Sequence, residues 1–210
     1  MKSSLESIEE YFRENLGIYT FVTLVFLAGV VTGALLVRFL DEAQITELSE
    51  HLSVFQDNIE KKEEEIFEPR QLLINSYQRN IIFLIITYLL GMLWLGSPFI
   101  LLILLLRGVA LGFTVGFIVY DSAFQGLIFS FAAVLPHNIL LVPSYIISSA
   151  VATTYSLLKL KGRFSPKHLS QSYFPQYCFL MVVMLLVVLM GGIVEAYITP
   201  ALIKISLSIM

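Results

Sequence analysis

Hydrophobic positions form long runs that are almost free of charge, and the largest block lies in the middle of the chain. Between residues 80 and 158 the formally charged residues are Arg107 and Asp121, which separate uncharged runs of 27, 13 and 37 residues. Two further charge-free runs flank this block, at residues 15–37 and 169–194. Since roughly 20 apolar residues cross a bilayer as a helix, the pattern predicts an all-α, polytopic membrane helix bundle with about five transmembrane helices.

The predicted spans divide the chain into four parts. These are an N-terminal amphipathic segment at 1–17, a first span at 18–39, an acidic helical loop at 40–79, and a core at 80–210 that holds the other four spans and a basic loop at 159–168. In the core, Gly96-Ser97-Pro98 predicts a tight turn between the second and third spans. The 37 uncharged residues of the fourth span contain Pro136 and Pro143, which predict a broken or kinked helix. A re-entrant hairpin over 122–158 is the alternative.

Charge predicts the orientation of the spans. The basic loop carries Lys159, Lys161, Arg163 and Lys167 and no acidic residue. Short loops rich in Lys and Arg stay in the cytoplasm, so we expect this loop and the N-terminus to be cytoplasmic. The acidic loop and the C-terminus are then external. A re-entrant fourth segment would change this assignment.

The acidic loop carries ten acidic and five basic side chains over residues 38–79, and its apolar residues follow a helical repeat. The repeat predicts an amphipathic helix that ends at Pro69. Two uses of its apolar face stay open: docking of a partner protein, and packing on the protein's own membrane surface. The candidate partner-binding residues are Leu48, Leu52, Phe55, Ile59, Glu63, Glu64 and Glu65.

Arg107 lies where its span should be deepest, and an arginine there is costly unless it faces a partner, a water-filled cavity or another helix. The intramembrane candidates for a polar or structural site are Arg107, Pro136, His137, Asn138 and Pro143. Asp121 and Glu195 should lie near the outer surface, so we expect Arg107 to donate instead to carbonyl groups freed near Pro136, to Asn138 or to water. Three interpretations stay open: a structural brace at a helix kink, part of a conduction or ligand site, and a peripheral arginine that snorkels to the surface because the span limits are shifted.

Small residues predict close helix packing in two places. Gly108, Gly112 and Gly116 follow Arg107 at four-residue spacing and share one helix face, on which a neighbouring backbone can approach closely. Gly29 and Gly33 in the first span form a similar pair.

Patterns typical of catalysis are missing from the sequence. It has no metal-ligand cluster, no credible Ser-His-Asp arrangement and no nucleotide-binding motif, and its single cysteine, Cys178, is expected to be a small buried hydrophobe. We therefore expect a protein that is not an enzyme, uses no metal or other cofactor, and binds lipid bilayer rather than nucleic acid.

Several segments together resemble one family. An acidic loop follows the first span, Arg107-Gly108-Val109-Ala110-Leu111-Gly112-Phe113 is spaced by glycine, Leu-Pro-His-Asn stands at 135–138, and a basic loop precedes a last span with Glu195. Nearly the whole chain resembles the stage II sporulation protein M family. Relatives from non-sporulating organisms resemble a Pro-His-Gly form followed by an intramembrane glutamate. Asn138 and Leu141 stand at those places here, which favours the sporulation branch.

The resemblance implies a multi-pass protein of the mother-cell membrane at the sporulation septum. It implies a noncatalytic scaffold that recruits and anchors two extracytoplasmic peptidoglycan hydrolases, a lytic transglycosylase and an amidase, for septal thinning and forespore engulfment. The alternative is a transporter or channel-like subunit that uses Arg107 and His137. Either protein could form a homo-oligomer.

Overall fold

The computed structural model describes residues 15–60, 69–164 and 169–209, and over these ranges the chain is helical, without a strand. The predicted all-α membrane bundle is confirmed. The helices are α1 (Leu16–Leu36), which ends in a 3-10 turn (Val37–Phe39), α2 (Glu42–Glu60), α3 (Pro69–Met92), α4 (Gly96–Phe164), α5 (Leu169–Ile193) and α6 (Thr199–Ile209), with a π-helical turn (Val194–Ile198) between α5 and α6.

The long helix α4 folds back on itself as two antiparallel arms. A straight helix of its 69 residues would be about 100 Å long. Instead, the Ser97 backbone N–H donates to the Ser156 hydroxyl oxygen at 3.0 Å. We call Gly96–Asp121 arm A and Gly126–Leu160 arm B, since each is long and apolar enough to cross a membrane by itself. A full crossing by arm B is therefore favoured over a re-entrant hairpin.

Four helical segments among the described residues are long and apolar enough to span a membrane. They are Leu16–Phe39, the two arms of α4, and Tyr173–Ile203. The second predicted span, at 81–95, is not among them, because it belongs to a helix whose first half is polar. That helix, α3, nevertheless contacts α5 along its length, from Gly91 beside the Tyr177 hydroxyl to Gly192 beside the Tyr77 ring.

Three local predictions differ from the structure. Pro69 begins α3 instead of ending α2, so the predicted boundary at residue 79 falls inside a helix. The turn after α3 lies at 93–95, and Gly96–Pro98 form the first turn of arm A. A proline is tolerated there because backbone N–H groups in the first turn of a helix have no intrahelical acceptor. A Cβ on Gly96 would lie 1.7 Å from the Leu90 carbonyl oxygen, so the close turn requires glycine there.

The helical backbone of arm B also continues through both of its prolines instead of breaking at them. Polar side chains beside the prolines bond to the same helix: the Asn138 amide donates to the Val134 carbonyl at 2.7 Å, and the Ser144 hydroxyl to the Leu140 carbonyl at 2.7 Å. These bonds go to the carbonyl groups of Val134 and Leu140, whereas the prolines remove the N–H donors to Ala132 and Ile139. The chain reverses between the two arms instead.

The closest helix pair is α1 against arm A. A Cβ on Gly112 would lie 1.9 Å from the Val30 carbonyl oxygen, and one on Gly33 would lie 2.0 Å from the Val109 carbonyl oxygen. Glycines thus face the neighbouring backbone from both helices, and the Gly29–Gly33 face of α1 is occupied within the chain. Gly108 and Gly116 belong to the same contact. A Cβ on Gly108 would lie 3.2 Å from Gly29 Cα, and one on Gly116 would lie 2.9 Å from Ala34 Cα.

Candidate functional site: a polar cavity between the spans

Arg107 lies near the middle of arm A and points towards α3. Its Nη2 donates to the Arg79 carbonyl oxygen at 2.8 Å, and its Cζ lies 5.2 Å from the Phe83 ring centroid and 5.0 Å from that of Tyr145. Both rings can stabilise the cation through their electron-rich faces. The prediction that Arg107 donates to carbonyl groups near Pro136 or to Asn138 is therefore wrong, because the guanidinium donates to the backbone of α3 instead.

The carboxylate of Glu195 pairs with a different arginine. It accepts a hydrogen bond from the Ser76 hydroxyl at 2.6 Å and forms an ion pair with Arg79. Glu195 lies in the π-helical turn between α5 and α6, and such turns are frequently found at functional sites. Its side chain is 18% exposed, whereas that of Arg79 is 64% exposed. Among the described residues no carboxylate pairs with Arg107.

A hydrogen-bonded chain along one face of α3 connects these groups. The Tyr145 hydroxyl donates to Asn80 Oδ1 at 2.6 Å, and Asn80 Nδ2 donates to the Ser76 hydroxyl oxygen at 3.2 Å. Ser76 and Asn80 are almost fully buried. The chain therefore runs from Tyr145 of arm B through α3 to Glu195, and it satisfies polar groups that would be costly to bury alone.

His137 lies on the opposite wall. Its Nδ1 is 3.5 Å from the Thr199 hydroxyl oxygen, and its Nε2 is 3.1 Å from Asn138 Nδ2. Arg107 and His137 therefore do not bond to each other, although both line the same space.

That space is a cavity of about 520 Å³ between α3, the two arms of α4 and the α5–α6 junction. Its volume is within the range of small-molecule sites. Most of the lining is apolar. The polar and charged lining residues are Arg79, Asn80, Arg107, Thr114, His137, Asn138, Tyr145, Glu195 and Thr199.

The sequence predicts only part of this cavity. Of the intramembrane candidates, Arg107, His137 and Asn138 line it, while Pro136 and Pro143 do not. The polar face of α3 was not predicted, because Ser76 and Arg79 fall in the predicted acidic loop at 40–79 and Asn80 is the first residue after it. The signal was present: Ser76, Arg79 and Asn80 recur at helical spacing directly before an uncharged run.

Helix α2 sits on the end of the bundle near Asp121, which we call the α2 end. The Ser49 hydroxyl bonds to Asp121 Oδ1 at 2.5 Å, and Leu52 packs against a cluster of Ile118, Phe129 and Ile203. Leu48 is also half-buried. Leu52, proposed as a partner-binding residue, is therefore used for packing within the chain.

The other candidate residues of the loop fall into two groups. Phe55 and Ile59 lie within α2, and Glu63, Glu64 and Glu65 lie outside the described residues. In the described part of the chain, no cluster of His, Cys, Asp and Glu side chains could hold a metal ion.

The fold and the cavity together define a polytopic membrane helix bundle with a buried polar site and an ordered amphipathic helix on one end. Residues 22–200 match the family model of stage II sporulation protein M, and the chain belongs to that family. It is a membrane protein of a sporulation family. Searches of curated proteins and of solved structures returned no match.

Proposed function

We propose that this protein is a noncatalytic membrane scaffold that recruits and anchors a lytic transglycosylase and an amidase at the sporulation septum. Family membership supports a role in sporulation. The observation that carries the proposal is the placement of α2, an amphipathic helix fixed to one end of a membrane bundle. In this proposal the α2 end faces the septal peptidoglycan, as the positive-inside rule predicts for the opposite side of the basic loop.

The exposed face of α2 is the proposed docking surface. Ser49 and Leu52 attach the helix to the bundle, which leaves Glu42, Glu47 and Val54 exposed. A helix already held in place loses little conformational entropy when a partner binds, which favours affinity. Its acidic residues suit a partner with a basic patch.

Charge reversal on this face tests the docking surface. We expect Glu42→Lys with Glu47→Lys to reduce co-purification of both hydrolases from sporulating cells by at least tenfold, because unfavourable charge pairs across an interface cost several kcal/mol and about 1.4 kcal/mol is already tenfold in affinity. The matched control is Glu9→Lys with Glu10→Lys, which makes the same change of charge in the predicted cytoplasmic N-terminal segment and agrees with the positive-inside orientation. Unchanged co-purification by a stably inserted Glu42/Glu47 variant would rule out this face.

A second candidate function is a transporter or channel-like subunit. It is favoured by the cavity, in which Arg107, His137 and Glu195 lie within the spanning region, since ionisable groups at that depth often mark solute pathways.

Flux measurements separate this candidate from the scaffold. For a transport function, Arg107→Leu and His137→Ala should each abolish ion or solute flux through reconstituted vesicles, and Arg70→Gln, which lies outside the cavity, should leave it intact. Flux that is absent in the wild-type protein, or that survives both cavity variants, contradicts transport through these residues.

A further inference from the structure

The charge of the cavity is unbalanced by one. Arg79 and Glu195 neutralise each other as an ion pair, and Arg107 is the remaining charged Asp, Glu, Lys or Arg side chain of the lining. Its cation is held by two aromatic rings and one backbone carbonyl, without a carboxylate among the described residues. A cation that lies within a membrane span, only partly buried and without a counter-charge, favours an anionic ligand that carries one negative charge.

An apolar groove lies next to the cavity. A groove of about 310 Å³ runs between arm A and arm B, and it shares Leu111, Val134 and Asn138 with the lining of the polar cavity. Phe131 and Ile139, which line this groove, are 55% and 60% exposed, although both belong to a candidate membrane span. Exposed apolar side chains in a span contact lipid, so the groove lies on the surface that faces acyl chains.

A polar compartment with a net charge of plus one, next to an apolar groove on the lipid-facing surface, matches one type of molecule. We propose that the cavity and the groove together bind one phospholipid with a net charge of minus one. Its phosphodiester lies beside Arg107, and one acyl chain occupies the groove between the arms. This inference does not depend on hydrolase recruitment or on transport.

The geometry explains why arginine is suitable at position 107. A guanidinium carries five N–H donors, and the hydrogen bond from Nη2 to the Arg79 carbonyl oxygen uses part of this capacity. Arginine also binds phosphate oxygens through two parallel hydrogen bonds, which a lysine cannot reproduce. Asn138, which lines both compartments, can donate or accept at the boundary between head group and chain.

Lipid binding to the purified full-length protein tests the proposal. Protein in a non-ionic detergent is titrated with phosphatidylglycerol or with phosphatidylcholine of identical acyl chains, and the bound lipid is counted by native mass spectrometry. We expect phosphatidylglycerol to bind about tenfold more tightly, because the choline group of phosphatidylcholine would bring a second cation close to Arg107. Arg107→Gln should remove this preference, Arg107→Lys should retain part of it, and Arg70→Gln, on α3 but outside the cavity, should keep it.

A soluble anion is distinguished from a lipid by a third ligand. Glycerophosphoglycerol is the deacylated head group of phosphatidylglycerol, and at equal concentration it should neither raise the unfolding temperature nor displace the bound lipid. Equal binding of the two lipids by the wild-type protein, or a preference that persists in Arg107→Gln, would overturn the proposal. Stabilisation by glycerophosphoglycerol equal to that by the lipid would overturn it as well, because the groove would then contribute nothing.

Discussion

At the contact between α1 and arm A, Gly112→Ala should destabilise the bundle more than alanine at any of the other glycines. The new Cβ would lie 1.9 Å from the Val30 carbonyl oxygen, which is backbone and cannot rotate away. We expect a loss of about 3 kcal/mol, at the upper end for overpacking. This loss corresponds to a fall of roughly 6–12 °C in the unfolding temperature of a chain of this size.

Gly17→Ala is the matched control, because a Cβ at Gly17 meets nothing within 4 Å. In a helix alanine is more favourable than glycine by about 1 kcal/mol, so this variant should be neutral or slightly stabilising. Thermal unfolding in detergent, followed by circular dichroism, measures both variants. If Gly112→Ala unfolds at the wild-type temperature, the glycine-mediated contact between α1 and arm A is not as close as described.

Reversing the charge of Glu195 should cause the second largest loss of stability. Glu195→Lys replaces the acceptor of Ser76 and Arg79 by a cation, and it places that cation beside Arg79 in a cavity that already contains Arg107. Breaking a fully buried pair costs about 3–5 kcal/mol, but the side chain of Arg79 is 64% exposed. We therefore expect a loss of about 2–3 kcal/mol.

A charge swap separates the pairing from the loss of the carboxylate itself. The double variant Arg79→Glu with Glu195→Lys restores opposite charges across the same contact, and it should recover at least half of the lost unfolding temperature. Glu195→Gln is the neutral control, since it keeps the size of the side chain. A double variant that is no more stable than the Glu195→Lys single variant would show that the ion pair does not stabilise the α3–α5 contact.

Hydrophobic patterning was sufficient to predict the all-α membrane bundle, because uncharged runs such as residues 80–106 leave few other structures available. It was not sufficient for α3. The polar half of that helix resembles a loop in composition, and only packing against Glu195, Arg107 and Tyr145 explains why its polar face lies between the spans.

The prolines show a second limit. Pro136 and Pro143 predict a break where they stand, since each removes a backbone donor. The structure keeps arm B helical through both and reverses the chain before residue 126, where the sequence holds no proline. Residues 121–126 instead contain Asp121, Ser122 and Gly126, and the bond from Ser49 of α2 to Asp121 ties this region to a segment far away in sequence.

The sequence predicted the cavity only through the lining residues that lie on α4. Arg107 stood out because it is an isolated charge in an apolar span, and the structure gives it a role in joining arm A to α3 and arm B through Arg79, Phe83 and Tyr145. Its partners come from segments that are 24 to 38 residues away, and no sequence pattern specifies which carbonyl or ring an arginine will meet.

We propose above that helix α2, on the predicted outer end of the bundle, holds peptidoglycan hydrolases. Co-purification from sporulating cells, with the full chain and with a variant that lacks residues 45–68, tests it most directly. We expect the full chain to retain the transglycosylase and the amidase, whereas the shortened chain should insert in the membrane but retain neither. Equal recovery of both hydrolases with the two chains would contradict it.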